Sequence, residues 1–304
     1  MSEQHTYPIG IAGQPWSSEH RQQWQAQQTV QRSYADEVVT KVKALADNWD
    51  IIEYGQLPYE QSYPLFALKH KQWQKGRPIA LVTGGVHGYE SSGIHGALAF
   101  AKQVEHAQSA NFNILVVPCI SPWGYETINR WNPDANDPNR SFFEGSPVPE
   151  AQLLLDFIAP FSSDILLHID LHETTDSDNS EFRPALAARE GIVNHNWNIP
   201  DGFYLVADSE RPQASFQRAI IDAVAKLTHI APADENNQLI GADLVQPGVI
   251  EYAGRKLGLC MGLTPAPYVT TTEVYPDSPQ ATEQNCIDAQ VAAANSAIAF
   301  VAAL

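Results

Sequence analysis

Two residues in the stretch GGVHGYE, His87 and Glu90, have the types and spacing to hold a metal ion. Imidazole nitrogen and carboxylate oxygen are common zinc donors, and a separation of three brings the side chains together where a loop turns into a helix. Alone the pair says little: with ten His and eighteen Glu in 304 residues, about 0.6 such pairs arise by chance. A zinc hydrolase needs three protein ligands and an open fourth position, so another donor must come from elsewhere. The stretch HIDLHETT offers His168, Asp170 and His172 at period two on one face of a strand. His172, at the strand end, is the natural third ligand, and His168, further back, reads as a core histidine. Asp170 either orients a ligand imidazole or forms a buried hydrogen bond. Gly84, Gly85 and Gly88 allow the tight turn and close approach that a small ion requires.

These residues need a scaffold, and the chain supplies one. Short apolar runs (IIEYG, YPLFALKH, PIALVTGG, NILVVPCI, DILLHIDLH, GFYLVA and YVTTTEV) read as strands. Helical stretches separate several of them: SSGIHGALAFAKQVEHA, PEAQLLLDFIA, QASFQRAIIDAVAKL and ATEQNCIDAQVAAANSAIAFVAAL. The alternation predicts an α/β domain, a mixed and largely buried sheet with helices on both faces, over residues 51–304. Residues 1–50 are expected to form a helical extension of one long or two shorter surface helices. In such sheets ligands sit beyond the carboxyl ends of the strands, which is where GGVHGYE and HETT fall.

Composition narrows the function. The net charge is −17 with only 18 basic residues, and no run of Lys or Arg could track a phosphate backbone, so nucleic acid is not an expected partner. The chain starts without a charged flank and apolar run and nowhere has eighteen uninterrupted apolar residues, which predicts a cytoplasmic protein with no membrane association. Cys119, Cys260 and Cys286 lack metal-knot spacing and read as reduced core thiols. The glutamate after His172, Glu173, is expected to point to the opposite face. His95, His195 and His229 suggest no chemistry, and the sequence is silent on oligomeric state.

Four ordered motifs, GGVHGYE, PWGYETINRWNPDANDPNRSF, DLHETT and TTTEVYP, resemble those of the zinc carboxypeptidases of the carboxypeptidase A type. Their wider clan includes the aspartoacylase and succinylglutamate desuccinylase branch. The resemblance runs from about Tyr54 to the C-terminus and implies a single-domain, roughly eight-stranded twisted sheet. It implies one Zn²⁺ per chain, held by His87, Glu90 and His172. It further implies that Asn139 and Arg140 hold a substrate's free carboxylate, that Asp137 orients the first histidine, and that Arg130 polarises the scissile carbonyl. Glu273 matches the general base. Tyr252 matches a tyrosine that closes over the substrate carboxylate. The side-chain pocket is expected from the same region, where Asp243, Glu251 and Arg255 are all charged and define no single preference.

The implied activity is a metallocarboxypeptidase releasing the C-terminal residue of a peptide. The shared zinc motif leaves open a deacylase of N-acyl amino acids, a murein-peptide amidase, or a metal-dependent peptide- or glycan-binding protein without turnover.

Overall fold

The computed structural model describes residues 7–104 and 111–304. Eight strands form one sheet: β1 (Trp49–Pro58), β2 (Ser62–His70), β3 (Ile79–Gly84), β4 (Asn113–Val117), β5 (Ile165–Glu173), β6 (Tyr204–Asp208), β9 (Val249–Tyr252) and β10 (Tyr268–Val274). Their order is β1-β2-β4-β3-β5-β10-β6-β9. The β3, β4, β5 and β10 strands run parallel, and antiparallel neighbours on either side make the sheet mixed. The remaining two, β7 (Gln238–Leu239) and β8 (Ala242–Asp243), form a small separate ribbon.

Eight α-helical segments lie among the described residues: α1 (Ser18–Gln25), α2 (Thr40–Lys43), α3 (Ser91–Gln103), α4 (Pro122–Thr127), α5 (Pro149–Ile158), α6 (Arg183–Glu190), α7 (Ala214–Val224) and α8 (Glu283–Ala302). The predicted third helix extends past Gln103 into 105–107, which lie outside the described residues.

Period-two alternation divides the strands between two cores. Ala80 and Val82 join α3, α7 and α8 on one face of the sheet, while Ile79 and Leu81 join α5 on the other. The α3 helix packs so closely on β5 that a Cβ at Gly93 would lie 2.3 Å from the Leu171 carbonyl oxygen. Between Tyr34 and β1 the chain forms a π-helical turn (Ala35–Val39) running into α2, so the N-terminal region holds two short helices instead of one long one. Nor are they mere surface helices: Trp24, Val38 and Val42 are buried, because they cover the edge of the sheet and the loop after α4. No helix among the described residues is long and apolar enough to cross a membrane.

Candidate metal centre and its cavity

The carboxyl ends of three adjacent parallel strands, β3, β5 and β10, supply the chemistry. The loop after β3 carries His87, and Glu90 immediately precedes α3, its side chain turned to the histidines and not to the helix end. Register fixes the rest: Thr83 lies beside Asp170, and Glu273 beside His172. Gln290 of α8 secures this edge, donating to the His172 carbonyl at 2.8 Å and accepting from Thr272.

Three donors converge. His87 Nδ1 lies 2.6 Å from Glu90 Oε1, and His172 Nδ1 lies 2.7 Å from Glu90 Oε2. All three residues are buried, and one ligand atom from each falls within 4.8 Å of the others. Each imidazole has its far nitrogen against a carboxylate: His87 Nε2 is 3.0 Å from Asp137 Oδ1, and His172 Nε2 is 2.7 Å from Asp170 Oδ2. A proton donated from each Nε2 leaves both Nδ1 lone pairs facing the Glu90 oxygens. Four acceptors cannot crowd together unless protons or a cation bridge them, and two imidazoles with one carboxylate are a zinc donor set. The residues therefore fit a zinc ion. Burial disfavours the charged Glu90 carboxylate, but the two imidazoles outweigh it and hold the group below the usual range. Burial likewise opposes charge on His172, yet Asp170 and Glu90 raise its pKa well above normal.

Asp170 sits in a second buried group. The Thr83 hydroxyl donates to Asp170 Oδ1 at 2.6 Å and therefore accepts from His168 Nε2 at 2.9 Å, with Cys260 Sγ 3.6 Å away. His168, Asp170 and Cys260 could by type hold a metal. The hydroxyl already fills their centre, so the group is a hydrogen-bond relay behind His172. His168 is indeed a core histidine, although its Nδ1 is buried without a partner.

A cavity of about 430 Å³ opens in front of the cluster. His87, Glu90, Arg130, Asp137, Asn139, Arg140, His172, Tyr252 and Glu273 all line it, whereas Asp170 lies behind it, fully buried. Arg130 pairs with Asp137 at 3.2 Å and reaches within 3.6 Å of Asp178 and 4.0 Å of Glu90. Glu273 Oε2 accepts from Thr174 at 3.1 Å, and burial pushes its carboxyl up to about 8. Asn139 accepts from the Cys260 amide at 2.8 Å, tying the 137–140 turn to the far wall, and Arg140 donates to the Asn139 carbonyl at 2.6 Å.

Glu173 faces the other way along its strand and accepts from the Ser92 amide at 2.5 Å, capping α3. The residue nevertheless borders the cavity, and burial pushes its pKa up to about 7. The expectation for the side-chain pocket needs correction. Asp243, Glu251 and Arg255 are absent from the cavity wall: Asp243 is exposed on β8, Arg255 is exposed in the turn after β9, and Glu251 alternates with Tyr252 along β9 and so takes the other face of the sheet. Arg183, Tyr204, Ile240, Leu259 and Thr271 stand there instead. Tyr89 and Asp178 were also missed: Tyr89 donates to Asp178 at 3.0 Å beside Arg130. Tyr89 lies inside GGVHGYE, but nothing local marks it as the partner of Asp178, which lines the cavity. Cys119, Cys260 and Cys286 are free and buried. His195 is exposed, and His229 pairs with Asp201 at 2.9 Å away from the cavity.

Known proteins share the fold and, over part of the chain, the sequence. Residues 77–195 match the succinylglutamate desuccinylase/aspartoacylase catalytic domain. A protein of Shewanella denitrificans provisionally described as a metallopeptidase is similar in structure, with TM-score 0.66 and 17% identity over 91% of this chain and 97% of that one. A second, from Shewanella amazonensis and described in the same way, gives 0.64 and 21% over 90% and 98%. A metallo-carboxypeptidase of Pseudomonas aeruginosa, in complex with (2-guanidinoethylmercapto)succinic acid, gives 0.59 and 13% over 94% and 69%. No curated protein matches in sequence. The chain thus has the fold of these solved structures, and over residues 77–195 it resembles the succinylglutamate desuccinylase/aspartoacylase catalytic domain.

Proposed function

We propose that this carboxypeptidase-like chain is a zinc-dependent metallocarboxypeptidase that hydrolyses the C-terminal amide bond of peptides. The observation that carries the reading is the convergence of His87 and His172 Nδ1 on Glu90, with Glu273 in register beside His172 at the edge of an open cavity. A zinc ion held by those three residues supplies Lewis acidity and lowers the pKa of water toward about 7.

The chain's own groups do the rest. Glu273, once ionised, takes the proton of the attacking water and returns it to the leaving amine. Arg130, held by Asp137 and Asp178, places positive charge where the carbonyl oxygen becomes negative. Arg140 and Asn139 bind the terminal carboxylate, since a guanidinium fork matches it in bidentate geometry. Tyr252, half-buried on the cavity wall, closes over it. Asp137 and Asp170 keep each histidine in the tautomer that presents Nδ1. We assign these roles to a catalytic domain of residues 51–304, with 1–50 as its N-terminal extension, acting on peptides in the cytoplasm.

The test is to measure bound metal by elemental analysis and to follow amino acids released from a peptide library, with Glu273→Gln as control. Near-stoichiometric zinc with one-residue shortening that the control lacks supports the reading. The match of residues 77–195 favours one second reading, hydrolysis of N-acyl amino acids. Zinc with no peptide shortening but release from an N-acyl amino acid would select it.

A further inference from the structure

Glu273 stands in the middle of a row that crosses three strands. On β10 it pairs with His172 of β5 on one side and with Tyr204 of β6 on the other. Residues paired across strands project from the same face of a sheet, and all three line the cavity. Thr174 carries β5 one step further, its amide donating to the Val274 carbonyl at 2.9 Å. It lies two residues beyond His172 and lines the same cavity.

Three polar groups meet at this point. The Thr174 hydroxyl lies 2.8 Å from the Tyr204 hydroxyl and donates to Glu273 Oε2 at 3.1 Å. A threonine hydroxyl has one proton to give. Given to the carboxylate, it obliges Thr174 to accept from Tyr204, so the chain of donors runs from Tyr204 through Thr174 to Glu273. Burial, and then the Glu273 charge, hold the Tyr204 phenol well above its usual range, which keeps it a donor. Both Thr174 and Tyr204 are buried, where water does not compete for these bonds. Among the described residues nothing donates to Glu273 Oε1, and the Tyr204 hydroxyl has no other partner.

We propose that Tyr204 and Thr174 are positioning residues for the base: acting in series they pin Glu273 Oε2 and leave Oε1 as the oxygen that receives the proton of the attacking water. This rests on the reading above, in which Glu273 is the general base, and adds which of its oxygens works and what holds it in place. A proton acceptor has to lie within hydrogen-bond reach of the water, and a carboxylate free to turn spends most of its time elsewhere. Tyr204 has one competing role, direct contact with substrate from the cavity wall. The two roles separate in kinetics: a contact made equally in ground and transition states acts on KM, whereas orientation of the base acts on the chemical step and so on kcat.

The experiment compares zinc-loaded wild type with Tyr204→Phe, Thr174→Val, the double variant and Thr174→Ser. It measures kcat and KM on whichever peptide or N-acyl amino acid is turned over, and locates the Glu273 carboxylate by crystallography. Thr174→Val should lower kcat about 10- to 100-fold, the scale of one hydrogen bond to a charged group, and Tyr204→Phe about 3- to 10-fold, that of a neutral one. KM and zinc content should stay unchanged in both, and Glu273 should turn away from its wild-type position in Thr174→Val. Thr174→Ser keeps the hydroxyl and should recover most of the loss. Because the two residues act in series, the double variant should be no slower than Thr174→Val. A Tyr204→Phe that raises KM and spares kcat would make Tyr204 a substrate contact and overturn the inference. So would a double variant whose losses multiply, or a Thr174→Val with unchanged kcat; each leaves the hydrolase reading intact. A wild type inert on every amide sinks the hydrolase reading, and the crystals then decide the relay: a Glu273 that turns in Thr174→Val retains it, and one that stays in place removes it too.

Discussion

Thr83 has one proton to give, and its use sets the order of the relay behind His172. The proton goes to Asp170, so His168 must donate, and Asp170 keeps its other oxygen for His172. Thr83→Val removes the hydroxyl at nearly constant volume and leaves Asp170 Oδ1 short of a partner. Loss of an outer partner of this kind weakens metal affinity by about 10-fold or more, whereas Thr83→Ser should retain it. Competition with a coloured chelator measures the affinity, and unchanged zinc affinity in Thr83→Val would remove the relay from any metal role. His87, Glu90, His172 and Asp170 could be picked out from sequence because each belongs to a short local pattern after an apolar run. Thr83 and Arg183 could not. The first acquires its partners across β3 and β5, and the second depends on where the loop after β5 folds back.

Elements meet at two points that carry predictions. The α3 helix presents Glu90 to His172 only because Gly93 lets it approach β5, and a methyl there would meet a carbonyl oxygen at 2.3 Å. Backbone cannot yield as a side chain can, so Gly93→Ala should cost about 1–3 kcal/mol by overpacking and reduce zinc affinity with it. Thermal melts with and without zinc check this, and a variant that binds zinc normally would show that the helix position is slack. The second point is Glu150 near the start of α5, buried between Tyr59 of the hairpin joining β1 to β2 and Asn132 of the site loop.

Burial raises the Glu150 pKa from 4.5 to about 7. The folded protein therefore holds the proton more tightly than the unfolded chain. Below pH 4.5 the group is protonated in both states and makes no difference; between 4.5 and 7 stability falls, and above 7 the full penalty remains, about 3 kcal/mol. Glu150→Gln should lack that fall and be the more stable form at pH 8, as denaturant midpoints at pH 5 and pH 8 would reveal. Parallel midpoints for the two proteins would show that Glu150 titrates normally. Seven strands of the sheet and the longer helices were legible from their periods; β9 and the β7–β8 ribbon were not, and neither were α4 and α6. Both begin with Pro at the first or second position and run only six and eight residues, too short for a periodic stripe.

At the scale of the molecule, the N-terminal residues and the site loop form one structure. Trp16 and Trp24 pack on Trp131 at ring separations of 6.0 and 5.5 Å, and Arg21 donates to the carbonyls of Asp134 and Ala135 and to Asn136. Arg32 reaches the carbonyls of Tyr125, in α4, and of Tyr89, between His87 and Glu90. Between Trp131 and Asn136 the chain makes a turn in which buried Ala135 takes φ +55°, an unfavourable conformation for a residue with a Cβ, so neighbours must hold it. Arg130, Asp137, Asn139 and Arg140 all flank that turn. None of this was visible in the polar, Gln-rich composition of residues 16–32, because Trp16 and Trp24 there are spaced for contact with a distant loop and not with one another. Trp24→Ala should therefore act at a distance. It should cost about 3–5 kcal/mol and loosen the loop, raising hydrogen exchange at residues 129–141 and raising KM more than it lowers zinc content. If exchange rose only within residues 16–48, the N-terminal segment would be a cover for the sheet edge and not the brace of the loop that carries Arg130 and Arg140.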